Sequence, residues 1–115
     1  MNRFLKSFTY AVAGIKYAFA TQGNFRFHVG VTVLIVLTGF FFNLTINEWL
    51  WIIAAIGMVL SVELVNTAIE TLVDLVSPEY NFKAGIVKDA SAGAVLIISI
   101  LAAGIGLLIF VHKFF

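Results

Sequence analysis

Charged residues interrupt this chain rarely, and the gaps between them indicate its organisation. Asp, Glu, Lys and Arg are all absent from residues 27–47, 49–62 and 90–112. A helix needs about 20 predominantly apolar residues to cross a bilayer. The gaps therefore predict transmembrane helices over residues 29–42, 49–72 and 88–111.

The first segment, residues 1–21, has a different pattern. On a helix, its apolar residues fall on one face, and Arg3, Lys6, Tyr10 and Tyr17 cluster on the opposite side. This pattern predicts an amphipathic helix that lies in the headgroup plane of a membrane. A simple anchor with solvated basic residues has the same pattern, so the amphipathicity alone assigns no catalytic role.

The composition excludes an ordinary soluble domain. Of 115 residues, 62% are hydrophobic and 11% are charged, whereas soluble domains are about 45–50% apolar and about 25% charged. The net charge of +1 provides no field that attracts nucleic acid, and the lack of cysteine excludes disulfides and thiolate metal sites. The expected fold is a single all-α integral membrane domain over residues 1–115.

Basic residues orient the predicted spans. Four of them precede the first span, and Lys83 and Lys88 lie between the second and third, whereas residues 44–48 contain no Lys or Arg. Because basic residues concentrate in cytoplasmic loops, we expect the N-terminus and the loop at residues 77–87 to be cytoplasmic. Both then face the compartment that contains ATP.

A polar stripe on the second predicted span is the strongest functional signal. Glu63, Asn66, Glu70 and Asp74 lie within about 80° of one another on a helix, and Glu63 and Asp74 are roughly 16 Å apart along its axis. A carboxylate inside a membrane costs several kcal/mol and usually marks a functional site. The stripe thus predicts a site that runs from the bilayer interior to its cytoplasmic surface.

Acids on one helix face repel each other unless cations intervene. The candidates are Lys88, the basic face of the first helix and a divalent metal such as Mg²⁺, which prefers carboxylate oxygens and often bridges to phosphates. Alternatively, the helix leaves the membrane early, and Glu70 and Asp74 are only solvated charges. The pair Lys88-Asp89 is either an ordinary helix-terminus pair or a phosphate-binding lysine beside a carboxylate.

Other chemical signals are weak. His28 and His112 lie at predicted membrane edges, and neither has a partner at metal-ligand spacing, so both are interpreted as interfacial residues. The sequence contains no Walker A motif and no glycine-rich kinase loop. Any phosphoryl transfer would therefore require a different architecture.

Four segments together resemble a known family. ELVNTAIETLVDLVSPEY, KDASAGAVL, FRFHVG and KSFTYAVAGIKYA are similar to segments of the small bacterial diacylglycerol kinases and undecaprenol kinases, and the resemblance covers nearly the whole chain. It implies a homotrimer of three-span subunits in the bacterial cytoplasmic (inner) membrane. It also implies Mg²⁺-dependent transfer of the ATP γ-phosphate to the hydroxyl of a membrane lipid, either diacylglycerol or undecaprenol.

The resemblance also implies roles for individual residues. Glu63 matches the general base and Glu70 a metal-binding carboxylate, while Asn66, Lys88 and Asp89 match polar residues around the phosphates and the reaction centre. Nucleotide contacts are implied for the surface helix, the cytoplasmic loop and the metal and phosphate residues, namely Arg3, Lys6, Tyr10, Glu70, Glu79, Tyr80, Asn81, Lys88 and Asp89.

One position departs from the family pattern. Gln22, in TQGNFRFH, stands where the family usually has a second metal-binding glutamate, and its neutral carbonyl oxygen attracts a cation much less strongly. This departure leaves open a weakened or non-catalytic family member that acts as a membrane assembly subunit. A third alternative is an ion pathway along the buried acids, although it would not account for Lys88 or the basic surface helix.

Overall fold

The computed structural model describes residues 2–115, which form four helices and no strand. In chain order these are α1 (Arg3–Thr21), α2 (Gly23–Phe41), α3 (Ile46–Val76) and α4 (Phe82–Phe114). The all-α fold class predicted from the sequence is confirmed.

Three of the helices, α2, α3 and α4, are long and apolar enough to cross a membrane. At about 1.5 Å per residue, they measure roughly 28, 46 and 50 Å, and a hydrocarbon core is about 30 Å thick. Each predicted span lies within one of them, except that Phe42 follows the end of α2. Helices α3 and α4 begin before the predicted spans because their N-caps, Thr45 and Asn81, precede those spans in the chain.

Helix α3 is the centre of the fold. It packs mainly against α4, also against α2, and α1 contacts only α2 and α3. Ile52, Ala55 and Val59 recur at helical spacing on the buried face of α3, whereas most large apolar side chains of the chain are exposed. Since lipid is as apolar as these side chains, their exposure is the expected state of a membrane protein.

Polar caps define the ends of the two long helices. Thr45 and Glu48 form a capping box at the start of α3, and Lys113 Nζ at the end of α4 donates to Glu48 Oε1 at 2.8 Å. The side chain of Asn81 accepts hydrogen bonds from the backbone N–H groups of Lys83 and Ala84 and so caps α4. These contacts place the start of α3 beside the end of α4.

Arg26 fastens α1 to α2. Its Nη1 donates to the carbonyl oxygens of Phe19 and Ala20, at 2.7 and 3.2 Å, which are free at the C-terminal end of α1. Gln22 lies at the junction, where it ends α1 and precedes α2. The sequence alone identified Arg26 only as one of the basic residues that orient the chain.

Gly39 lies where α2 meets the start of α3. A Cβ atom there would stand 2.6 Å from Trp49 Cη2 and 3.0 Å from Leu44 Cδ1. We expect Gly39→Val to lower the free energy of unfolding in detergent by about 1–3 kcal/mol, because overpacking forces neighbours to shift.

Gly30→Val is the matched control. It puts the same β-branched residue into the same helix, and nothing in the described chain lies within 4 Å of a Cβ at Gly30. Equal unfolding free energies for the two variants would contradict the prediction and would show that the Trp49 ring moves away freely.

Candidate active site

The polar residues of α3 form a row along one face, as their spacing predicts. Glu63 is 1% exposed and Asn66 is 8% exposed. Glu70 is partly buried, and the side chain of Asp74 is 67% exposed. The row therefore leads from the interior of the fold to its surface.

Asn66 joins this row to α4. Its Nδ2 donates to Glu70 Oε1 at 2.7 Å, and its Oδ1 accepts a hydrogen bond from Ser91 Oγ at 2.5 Å. Both ends of the amide are thus occupied, so Asn66 holds the Glu70 carboxylate in one orientation. Ser91 was not identified from the sequence, because its partner lies 25 positions away and on another helix.

Glu63 faces α2 instead. Its Oε1 lies 3.2 Å from His28 Nε2, whose side chain is 19% exposed. The sequence predicts an interfacial position for His28, whereas in the fold it lies beside an acid. The short connection between α2 and α3 makes them neighbours and brings the first turns of α2 next to the middle of α3. The local pattern around His28 carries no signal of this contact.

The lysine at the start of the third predicted span pairs with the outer end of the row. Lys88 Nζ lies 2.6 Å from Asp74 Oδ1, and both side chains are substantially exposed. One of the cation sources anticipated from the sequence is therefore in place, but at Asp74 and not at the buried acids. Asp89, the next residue, is exposed.

The surface helix does not reach the row within a single chain. Arg3, Lys6 and Tyr10 are exposed on the first half of α1. The second half approaches α3 instead, where Ile15 and Leu60 share the lining of a cavity of about 420 Å³. Within residues 2–115, the structure shows no hydrogen bond or ion pair between the first half of α1 and the α3 row.

The loop between α3 and α4 offers exposed polar groups. Glu79 and Tyr80 project at the surface, and Tyr80 is 89% exposed. Asn81 already has a structural role as the cap of α4. Glu79 and Tyr80 are therefore more available for a nucleotide contact than Asn81, whose side chain already caps α4.

The residues that could hold a metal are few. No group of three or more His, Asp or Glu side chains comes together in the part of the chain that the structure describes. Glu70 still offers a fixed carboxylate, and Gln22 is half-buried at the α1–α2 junction. Mg²⁺ is often held by one or two carboxylates together with substrate phosphates. A single fixed carboxylate at Glu70 therefore fits a nucleotide-bound Mg²⁺ better than a closed metal site, and no hydrogen bond joins Gln22 to Glu70 within residues 2–115.

A second cavity, of about 550 Å³, lies between α2, α3 and α4. Apolar side chains from Ile35 on α2 to Phe110 on α4 form most of its wall, and polar groups come from His28, Thr32 and Ser99. Glu63 does not line it. The cavity thus combines a long apolar wall with the imidazole that contacts the buried acid.

The chain is similar in sequence to known lipid kinases. The chain is 43% identical to the undecaprenol kinase of Bacillus subtilis, over 98% of this chain and 92% of that protein. It is 42% identical to the diacylglycerol kinase of Synechocystis, over 89% of this chain and 59% of that protein. It is 32% identical to the diacylglycerol kinase of Escherichia coli, over 88% of this chain and 83% of that protein.

The family model for prokaryotic diacylglycerol kinase matches residues 9–110. This range includes the whole α3 row and its three partners on α2 and α4, namely His28, Lys88 and Ser91. The chain therefore belongs to the prokaryotic diacylglycerol kinase family.

Proposed function

We propose that this membrane lipid kinase transfers the γ-phosphate of ATP to the primary hydroxyl of diacylglycerol or undecaprenol at the polar row of α3. The observation that carries this proposal is the carboxylate of Glu63, which is 1% exposed within a membrane-spanning helix. The hydrogen-bonded pair of Asn66 and Glu70 follows it towards the surface. A lipid kinase needs reactive groups at both depths, because its lipid acceptor stays in the bilayer while its nucleotide stays in water.

The depth of each residue supports this division of labour. If Trp49 marks one membrane interface, a rise of about 1.5 Å per residue puts Glu63 roughly 21 Å and Glu70 roughly 32 Å along α3. The hydrocarbon core is about 30 Å thick. Glu63 then lies roughly 9 Å inside the hydrocarbon core, on the side of a lipid that stays in the bilayer, and Glu70 lies at the cytoplasmic surface, within reach of a nucleotide.

The two buried or partly buried acids of the row, Glu63 and Glu70, have different tasks in the proposed reaction. Glu63 is the general base that drives removal of the hydroxyl proton as the lipid oxygen attacks the γ-phosphorus and ADP departs. Asn66 and Ser91 hold Glu70 in place. Mg²⁺ bound at Glu70, with Gln22 as a weak second ligand, would neutralise charge on the phosphates.

The remaining site residues are proposed to bind the nucleotide. Lys88, with Asp89 beside it, stands at the exposed end of the row, where a lysine can contact phosphate. Contacts to ATP are proposed for Glu70, Lys88, Asp89, the surface helix and the α3–α4 loop, through Arg3, Lys6, Tyr10, Glu79, Tyr80 and Asn81.

We also propose a homotrimer in the bacterial inner membrane with a cytoplasmic N-terminus. The exposed apolar faces of the spans leave room for neighbouring subunits. Within residues 2–115, the exposed side chain of Arg3 makes no ion pair with the row, which favours an active site that a neighbouring α1 completes. The amphipathic α1 would then lie in the headgroup plane, next to the nucleotide.

The decisive assay is transfer of labelled γ-phosphate from Mg-ATP by purified protein in mixed micelles. Diacylglycerol and undecaprenol are offered separately, and the products are separated by thin-layer chromatography. Phosphorylation of either lipid supports the proposal and identifies the acceptor. Absence of product with both lipids, from protein shown to be a folded oligomer, would overturn it.

Gln22 allows a test of the metal proposal. Gln22→Glu adds a carboxylate at the α1–α2 junction, and we expect it to lower the Mg²⁺ concentration needed for half-maximal activity by about tenfold, equivalent to about 1.4 kcal/mol. The measurement is a Mg²⁺ titration of the micelle assay at constant ATP.

Asn24→Asp is the control for added charge, since it introduces an acid two positions away on the exposed side of α2. An unchanged Mg²⁺ requirement in Gln22→Glu, or an equal change in both variants, would exclude Gln22 from the metal site.

A further inference from the structure

The junction between α1 and α2 is a single residue. Gln22 ends α1 with a hydrogen bond from its backbone N–H to Ala18 O, and α2 begins at Gly23. The backbone of Gln22 is extended, with φ −114° and ψ 110°, and its side chain does not cap α2. The angle between the two helices therefore depends on one pair of backbone torsions and on the contacts that hold the junction.

Side-chain packing holds α1 weakly. Within Arg3–Thr21, Ala18 is the one buried residue. The cavity of about 420 Å³ lies between the second half of α1, at Ile15 and Phe19, and the spans α2 and α3. The atoms that line a cavity lack contacts on that side. Packing therefore contributes little to the direction in which α1 leaves the junction.

Arg26 supplies a directional contact instead. Its Nη1 donates to Phe19 O at 2.7 Å and to Ala20 O at 3.2 Å. These carbonyl groups lie at the C-terminal end of α1, where the helix has no N–H groups of its own for them and where a cation is favourable. Within residues 2–115, no Asp or Glu forms an ion pair with Arg26. Its guanidinium is therefore committed to the end of α1.

We propose that Arg26 is a positioning residue for Mg-ATP, because it fixes the direction of α1 and so the place of the nucleotide contacts at Arg3, Lys6 and Tyr10. The inference rests on the proposed function, since those contacts belong to the same kinase site. At about 1.5 Å per residue, Arg3 lies roughly 28 Å from the junction, so a rotation of about 10° there moves it by roughly 5 Å. Misplacements of about 1 Å can already cost about 100-fold in rate.

The direction of α1 can be measured with spin labels, because the chain contains no cysteine. Ser7→Cys on the exposed first half of α1 and Leu34→Cys on the exposed face of α2 carry the labels. Labelled subunits are diluted with unlabelled ones, so that double electron–electron resonance reports distances within one chain. Arg26→Met removes the donors and keeps an unbranched side chain. It should shift or broaden the distance distribution by about 5 Å or more.

The same variant should bind the nucleotide less tightly. We expect Arg26→Met to raise the Kd of Mg-ATP about tenfold in equilibrium dialysis, in the range for the loss of hydrogen bonds from a charged group. The kcat at saturating Mg-ATP should stay within about threefold of wild type, because Arg26 is not proposed to contact the reacting atoms. Arg26→Lys should restore both the distances and the affinity, since both native bonds come from one nitrogen and an ammonium group has three donors.

Lys16→Met is the matched control, because it removes a basic side chain from the same half of α1. Lys16 is exposed and forms no ion pair within residues 2–115. The control should keep the wild-type distances and the wild-type affinity for Mg-ATP. If Arg26→Met does not fold, Arg26→Gln replaces it. The glutamine amide is too short to reach both carbonyl groups, so the same two changes are expected.

Three results would overturn the inference. Wild-type distances in Arg26→Met would show that other contacts fix α1, even if Mg-ATP binds more weakly. Equal effects in Lys16→Met would assign the change to the lost charge. A shifted distance distribution with wild-type affinity for Mg-ATP would show that the direction of α1 does not control nucleotide binding. A wild-type protein that binds Mg-ATP but phosphorylates no lipid would instead reject the proposed function, and the distances and affinities would still test Arg26.

Discussion

Glu63→Gln should lower the kcat of lipid phosphorylation by about 100-fold or more, in the range that general acid–base groups contribute. Glutamine has nearly the same shape and fits the same buried position, but it has no basic carboxylate. The proposed reaction requires this carboxylate, because it is the group that accepts the hydroxyl proton. The KM for Mg-ATP should change little, because the proposed nucleotide site is at the opposite end of the row.

The control for this prediction is Glu48→Gln, which makes the same change on the same helix. Glu48 caps α3 and accepts hydrogen bonds from Thr45 N and Lys113 Nζ, both at 2.8 Å. The amide oxygen of glutamine can accept the same bonds, so activity should remain near that of wild type. Equal kcat values for Glu63→Gln and Glu48→Gln would show that Glu63 takes no part in catalysis.

Glu70→Gln is expected to reduce kcat/KM for Mg-ATP by about 100-fold or more, equivalent to at least about 2.7 kcal/mol. The new amide oxygen can still accept the hydrogen bond from Asn66 Nδ2, which spans 2.7 Å in the native protein. The row therefore keeps its geometry and loses only the charge that is proposed to attract Mg²⁺. Equilibrium dialysis of Mg-ATP, alongside the kinetic assay, measures the loss directly.

The two carboxylates are distinguished by whether kcat or the affinity for Mg-ATP changes. Glu63→Gln should bind Mg-ATP normally and turn over slowly. Glu70→Gln should bind Mg-ATP weakly at Mg²⁺ concentrations that are sufficient for the wild-type protein. Wild-type binding of Mg-ATP by Glu70→Gln would assign the metal to other groups. Glu48→Gln again provides the reference for an uncharged substitution outside the site.

The local sequence pattern was sufficient to predict the membrane-spanning helices and the polar row on α3. Charge-free segments are long enough to predict three spans. A helix forms its backbone hydrogen bonds internally, so only the polarity of its side chains decides whether it can cross a membrane. The spacing of Glu63, Asn66, Glu70 and Asp74 places them on one face of any helix they form. The burial of Glu63 and the exposure of Asp74 follow the expected gradient.

The tertiary structure alone decided which partner each of these groups has. His28 beside Glu63, Ser91 on Asn66 and Lys88 on Asp74 each join two different helices. Such contacts depend on how the helices pack and rotate against one another, and that depends on side-chain shape at the interfaces rather than on periodicity within one helix. The sequence by itself therefore determined the spans, the polar row and the family resemblance, whereas packing decided that the buried acid meets a histidine and that the lysine meets the outermost acid.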